Sequence, residues 1–359
     1  MTNTQLVEPV PPGDVLAEEL EAREWSQADF ADIIDRPAQL VSAIVAGKKS
    51  ITPETATQIA AALGTSAQMW LNLQDSYDLA LMARDPAARG KLDEVRLRSE
   101  MNDLAPVALL RKRGHLPAGT LSEQADALCR LLHIESLDGT PPFDAAARRG
   151  NTEEPPTPTQ RAWFACARAG ASARPVDPFD RDGLRHLGES LTTAVQTPEN
   201  FAALPELLAR VGVRLVYVEA FPGSKISGVS FLLDDDPGQP CIALSGLGKR
   251  FDKVLFTLLH EIAHIVLGHV EPGAIIVDEG EDESNDVEDA ANELAGAWCL
   301  PLVMNPPSQP RRNWVQAEAQ RQGVHPLVVI GRLQHEGIVD WKSELVRGAP
   351  RVDTYLAQW

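Results

Sequence analysis

The sequence predicts an α+β protein that is mostly helical. It reads as an N-terminal all-α helix-turn-helix domain, a helical connector, and a C-terminal domain in which helices accompany a small β-sheet. Three observations carry that prediction. Short helical patterns punctuated by glycine and proline fill the first 80 residues. Three runs rich in β-branched residues cluster between Val213 and Leu244. Directly after them comes an apolar helix interrupted by His260, Glu261 and His264.

At 359 residues the chain is long enough for two or three domains with cores of their own. Hydrophobic residues make up 44% and charged residues 23%, an ordinary globular balance. The net charge of -18 opposes non-specific binding to nucleic acid or to an anionic membrane. Cys129, Cys166, Cys241 and Cys299 are scattered, with no Cys-x-x-Cys, so neither a disulfide framework nor a cysteine zinc site is expected. The polar, proline-rich N-terminus lacks the basic region and apolar run of a signal peptide. His260 and Glu261 interrupt the best candidate for a membrane span. A cytoplasmic location is the resulting expectation, with no membrane partner.

Residues 1–12 read as disordered, and residues 13–80 as the helix-turn-helix domain. Val15, Leu16, Leu20 and Trp25 form the first apolar face. Ser26 stands as an N-cap with Asp29 three residues on, ahead of Phe30, Ile33 and Ile34. Asp35-Arg36-Pro37 turns the chain into a short helix ending at Gly47. Thr52-Pro53-Glu54 starts another, which runs through Ile59 and Leu63 to Gly64. In such a module the second helix of the motif enters the major groove. Gln39 and Ser42 are therefore the candidates for base edges, and Lys48 and Lys49 for phosphates. Carboxylates far outnumber the basic residues Arg23, Arg36, Lys48 and Lys49 between positions 13 and 80. Phosphate contacts supply much of DNA affinity, so a monomer is expected to bind weakly. A helical domain that binds no DNA is the alternative. Such modules usually read paired half-sites, which makes a homodimer a candidate state, although the sequence shows no interface for one.

Five phrases in order carry a family resemblance: Gly13-Asp14-Val15-Leu16, Ser26 to Ala31, Ile44 to Lys48, Ile51 to Ala56, and Trp70-Leu71-Asn72-Leu73-Gln74. Roughly residues 10–80 resemble the HigA-type branch of the XRE helix-turn-helix regulators. That resemblance implies repression of an operon and binding of a toxin, although this chain is far longer than such antitoxins.

Residues 81–140 read as a helical connector, with Leu109, Leu110, Leu121, Leu128 and Leu132 at helical spacing. Residues 141–180 read as a proline-rich linker and a helix from about Gln160 to Ala171. The domain from 181 to 359 opens with a helix from Arg181 to Gln196. Val213 to Val218, Gly228 to Leu233 and Cys241 to Leu244 read as strands, the last two joined by an acidic turn at Asp234-Asp235-Asp236-Pro237-Gly238. An exposed edge strand of such a sheet can hold an extended peptide backbone by β-addition.

His260 and His264 lie four apart, on one face of a helix, so both imidazoles can reach one ion. Glu261 then falls beside the open coordination position, where a carboxylate can take a proton from water. Two surface histidines are the plainer reading, but the helix is apolar on most sides, and buried ionisable groups are costly unless paired or metal-bound. The acidic run from Asp278 to Asp289 reads as a solvated loop, since its spacing does not fit a calcium loop. A helix from Val287 follows and ends at Pro301. Ala291 and Ala295 would let it approach the histidine helix closely. Glu288 is the candidate third ligand, and Asn292 the candidate for orienting a ligand histidine by a hydrogen bond. Glu293 and Asp289 are expected in solvent. His269 is the candidate catalytic donor to the oxyanion. A ligand role or an ordinary core or surface position are its alternatives, and His325 and Tyr217 stay open for the donor.

Leu258 to His264 with Gly268-His269, the helix Glu288-x-x-x-Asn292-Glu293-Leu294-Ala295, Leu300-Pro301, and the later run His325 to Gly337 resemble the ImmA/IrrE metallopeptidases. The resemblance covers about residues 200–345. It implies a zincin-like metallopeptidase domain, a gluzincin-like zinc site of His260, His264 and Glu288, and Glu261 as base. It also implies a protein substrate, a helix-turn-helix repressor or an antitoxin-like protein, whose cleavage controls transcription or a stress response. This sequence departs from the family by the long acidic insertion and by Trp298-Cys299 where aliphatic residues are usual. Two further readings are carried. One is a repressor or antitoxin-like binder whose zinc domain is a sensor or scaffold. The other is self-processing within the stretch from Pro141 to Pro158.

Overall fold

The computed structural model describes residues 9–144, 156–233, 236–273, 275–278 and 286–359. The expected disorder over most of 1–12, most of the linker from 141 to 158, and the centre of the acidic run lie outside the described residues. The chain divides into two compact units, residues 1–97 and 98–359, each taken here by itself.

The first unit is a set of short helices around one core. Helix α1 spans Pro12–Glu21, with proline in its first turn. Helix α2 spans Gln27–Ile33, and Ser26 and Asp29 cap it reciprocally through each other's backbone N–H. Helix α3 spans Ala38–Val45. Helix α4 spans Pro53–Leu63, between the Thr52 cap and a left-handed Gly64. Helix α5 spans Ala67–Arg84. Leu16, Phe30, Val41, Ile44, Ala56, Ile59 and Trp70 close the core. The Trp70 ring is fully buried, and its Nε1–H donates to Thr65 Oγ1 at 2.8 Å. Gln74 Oε1 accepts from Ile51 N at 2.9 Å, tying the turn after α3 to α5. Trp70→Ala is expected to cost about 3–5 kcal/mol, by lost burial and an unfilled cavity. Thermal unfolding of the full chain checks this. The earliest transition should move down, and a curve superimposable on the parent's would contradict the packing.

Helix α6, Pro86–Leu104, leads into the second unit. Helices α7 (Val107–Lys112), α8 (Leu121–Leu132), α9 (Pro158–Ser172), α10 (Arg181–Ala194) and α11 (Leu204–Ala209) come before the sheet. The strands are β1 (Arg214–Tyr217), β2 (Gly228–Leu233), β3 (Asp236–Leu244) and β4 (Ile276–Asp278). Their order is β1-β3-β2-β4, with β1 parallel to β3 and β2 antiparallel to both β3 and β4.

Two features differ from the sequence reading. Strand β3 begins at Asp236, inside the stretch read as a turn. The three-residue β4 was not expected, because so short a run carries too little periodicity to be seen. Strand β4 covers Gly228 to Ser230 of β2, so on that side it forms the sheet's outer edge.

The central element is α12, Phe251–Leu267, which packs on the sheet through β2 and β3. Around it lie α10, α13 (Asp286–Cys299) and α15 (Pro326–His335), with α14 (Arg312–Gln322) beyond. Val254, Leu255, Leu258, Leu259, Ile262 and Ala263 of α12 are all buried in the core. Among the described residues, no helix is long and apolar enough to cross a membrane.

Candidate metal centre

Helix α12 is apolar on nearly every side, so its polar residues are carried into the interior with it. His260 is 3% exposed, Glu261 1% and His264 0%. Helix α13 packs against α12, and the small residues Ala263 of α12 and Ala291 and Ala295 of α13 are all fully buried in the shared core. That contact brings Glu288, in the first turn of α13, to the histidines. His260 Nε2 and His264 Nε2 are 2.9 Å apart, and Glu288 Oε2 lies 3.1 Å from the first and 3.5 Å from the second.

The donor set fits a zinc ion. Zinc takes two imidazole nitrogens and a carboxylate oxygen in tetrahedral geometry, with bonds near 2.0–2.1 Å, which sets donors about 3.3 Å apart. The observed triangle of 2.9, 3.1 and 3.5 Å brackets that spacing. Without an ion, burial pushes the Glu288 carboxyl up, but hydrogen bonds from protonated His260 and His264, and their charge, outweigh it and hold it at about 2; an ion would take the place of those protons. Glu288 is thus an ionised oxygen donor at neutral pH.

The general-base candidate is held from the sheet side. Along β2 successive side chains alternate, so Gly228 and Ser230 share one face. Ser230, fully buried, places Oγ 2.5 Å from Glu261 Oε2 and 3.2 Å from the Glu261 carbonyl. Gly228 leaves room for the other carboxylate oxygen: a Cβ there would lie 2.4 Å from Glu261 Oε1 and 2.9 Å from Thr257 Cγ2. The sequence reading missed both. The available signal was a lone hydroxyl among apolar neighbours in Gly-Val-Ser-Phe-Leu-Leu, two positions from a glycine.

Other candidates fall differently. His269, expected to face an oxyanion, instead lies behind His264, Nδ1 to Nδ1 at 3.1 Å, across that ring from Nε2. An oxyanion donor has to stand on the Nε2 side, so the geometry does not suit that role. Asn292 is exposed, and no hydrogen bond joins it to either histidine among the described residues. Asp289 and Glu293 are exposed, as expected. His325 caps α15 and stacks on Phe251 with ring centroids 4.6 Å apart, and Tyr217 packs beside Gly246. His325 thus lies at the N-terminal end of α12, more than two turns from His260.

In the first unit, α3 turns Val41 and Ile44 inward and leaves Gln39 and Ser42 exposed. Lys48 and Lys49 follow on the exposed turn after Gly47, whose φ is 66°. Arg36 is held within the unit, donating to Gln58 Oε1 at 2.9 Å and pairing with Glu54.

A helix-turn-helix family model matches residues 16–70, and the IrrE N-terminal-like domain matches residues 210–334. An uncharacterized HTH-type transcriptional regulator, YddM of Escherichia coli (strain K12), is 38% identical over 69 residues, 19% of this chain and 73% of that protein. Virulence-associated protein I of Dichelobacter nodosus is 33% identical over 75 residues, 21% of this chain and 69% of that protein. Among solved structures, an addiction module antidote protein of the HigA family from Coxiella burnetii is 36% identical. The match covers 24% of this chain and 94% of that one, with a TM-score of 0.23. The Pseudomonas aeruginosa antitoxin HigA, solved with the higBA promoter, is 35% identical. It matches 23% of this chain and 89% of its own, with a TM-score of 0.22. The chain belongs to the XRE-type helix-turn-helix family through its N-terminal region, and it carries an IrrE-like domain in its C-terminal half.

Proposed function

We propose that this chain is a regulatory zinc-dependent metalloendopeptidase that carries its own DNA-binding helix-turn-helix module. The observation behind the reading is the convergence of His260, His264 and Glu288 within 4.8 Å, one residue along from a buried Glu261. Bound there, zinc supplies the Lewis acidity that makes water a nucleophile at neutral pH. The rest is done by the chain. Glu288 brings the negative charge that a buried cation needs. Glu261 takes a proton from the attacking water and returns it to the departing amine. Ser230 fixes Glu261 Oε2, so the carboxylate works from one position and not from an ensemble of rotamers.

The substrate is a regulatory protein, either a helix-turn-helix repressor or an antitoxin-like protein, or this chain itself in the stretch from Pro141 to Pro158. Its cleavage relieves control of transcription or of a stress response in the cytoplasm. The test is a survey of new protein N-termini in a cell lysate incubated with zinc-loaded protein. Termini that appear with the parent and not with Glu261→Gln identify the substrate. Identical sets would sink the reading.

The second reading keeps the DNA-binding module as the working part and the zinc domain as sensor or scaffold. Exposure of Gln39, Ser42, Lys48 and Lys49 on and after α3 favours a DNA-binding module in either case. Such a module acts as a dimer on paired half-sites. Changing Lys48 and Lys49 together to Glu is expected to weaken binding to DNA upstream of the chain's own gene. It should also flatten the slope of log affinity against log salt by about two. Fluorescence anisotropy across a salt series measures both. An unchanged slope would remove the two lysines from the interface.

A further inference from the structure

We propose that His269 is a positioning residue of the metal centre, accepting the Nδ1 proton of His264 and so aiming Nε2 of that ring at the ion. The inference rests on the zinc reading above and concerns a residue which that reading does not use.

The local sequence creates the arrangement. Gly268 ends α12 in the left-handed region, at φ 78° and ψ 24°, where a side chain would be strained. The N–H of Gly268 donates to the carbonyls of His264 and Ile265, and that of His269 donates to His264 O at 2.9 Å. This is the hydrogen-bonded reversal with which helices commonly end. It folds His269 back over the last turn, beside the ring of His264. The two Nδ1 atoms are 3.1 Å apart, and the ring centroids are 5.2 Å apart at an interplanar angle of 65°.

The protonation pattern then follows from counting. A neutral imidazole has one N–H and one lone pair. His264 Nε2 faces His260 Nε2 and Glu288 Oε2 and has to keep its lone pair to ligate. The proton of that ring therefore sits on Nδ1, and His269 Nδ1 stands at hydrogen-bond distance to accept it. His269 carries its own proton on Nε2. Metal-binding histidines generally hand their second N–H to a fixed acceptor, and losing that acceptor typically costs 10–100-fold in metal affinity. Here the acceptor is an imidazole delivered by a glycine turn five residues downstream.

The experiment uses the full chain, stripped of metal and titrated with Zn2+ against a chromophoric competitor. His269→Ala is expected to weaken zinc binding about 10–100-fold. It should also shift the visible bands of the Co2+-loaded protein. His269→Asn, which offers an amide oxygen near the place of Nδ1, should recover most of the affinity. Thermal unfolding of the metal-free variants should match the parent. If His269→Ala is too unstable to titrate, His269→Phe, which keeps the volume and lacks the acceptor, replaces it. Parental affinity and an unshifted Co2+ spectrum in the variant without the acceptor would overturn the proposal. So would equal weakening by His269→Asn. If the parent itself takes up no zinc, the peptidase reading fails; if it does and His269→Ala equals it, only the positioning role fails.

Discussion

Glu261→Gln should abolish turnover while leaving the metal centre and the fold intact. The substitution is isosteric. The amide can still meet Ser230 Oγ, now 2.5 Å from Glu261 Oε2, because a hydroxyl can donate or accept. What disappears is the basic lone pair. General acid–base groups contribute roughly 10²–10⁴-fold to rate, so a loss of that order in kcat is expected. Stability should not fall, since Glu261 is only 1% exposed and neutralising it removes a desolvation cost. Zinc content should stay at the parent's value, because the donors at 260, 264 and 288 are untouched. The measurements are single-turnover cleavage of the substrate found in the lysate survey, metal analysis, and a melting curve. Retained turnover with retained zinc would make Glu261 a bystander. Lost turnover with lost zinc would make it part of the metal cage. Neither pattern is compatible with the role proposed.

The same residues mark what could be read from sequence. His260, Glu261 and His264 were legible because a four-residue spacing is a local property of one helix, and the apolar positions around them announced burial. Glu288 was legible through the small residues Ala291 and Ala295, which permit helix contact, and through the family resemblance. Ser230 and Gly228 were not. Their meeting with Glu261 is made across 31 or more residues of chain by the register of β2 against α12, and no periodicity encodes it.

His269 was noticed, yet its direction depends on how Gly268 turns the chain. A helix that simply continued would have sent it elsewhere. Asn292 was placed on the edge of the buried face of its helix, and the structure leaves it exposed. In the first unit the caps at Ser26 and Thr52 and the stop at Gly64 were plain, since capping is written in adjacent residues.

The last large effect concerns removal of the metal. The cluster gathers two imidazole nitrogens and an ionised carboxylate within 4.8 Å, on three buried residues. A cation binding there favours the folded state by mass action. At a free concentration 1,000 times the dissociation constant the gain is about 4 kcal/mol. In a folding unit of this size, each kcal/mol moves the midpoint by roughly 2–4 °C, so chelation should lower Tm by roughly 10 °C. Differential scanning calorimetry with and without a strong zinc chelator measures this. Glu288→Ala should remove the response, because a two-histidine remnant lacks both the third donor and the neutralising charge. That variant should melt near the chelated parent, for it also takes away a buried anion whose partner has gone. A chelator response that survives Glu288→Ala would place the stabilising ion somewhere other than between α12 and α13. No chelator response in the parent would leave the three donors as an ordinary buried ion pair, and the hydrolytic reading would lose its physical basis.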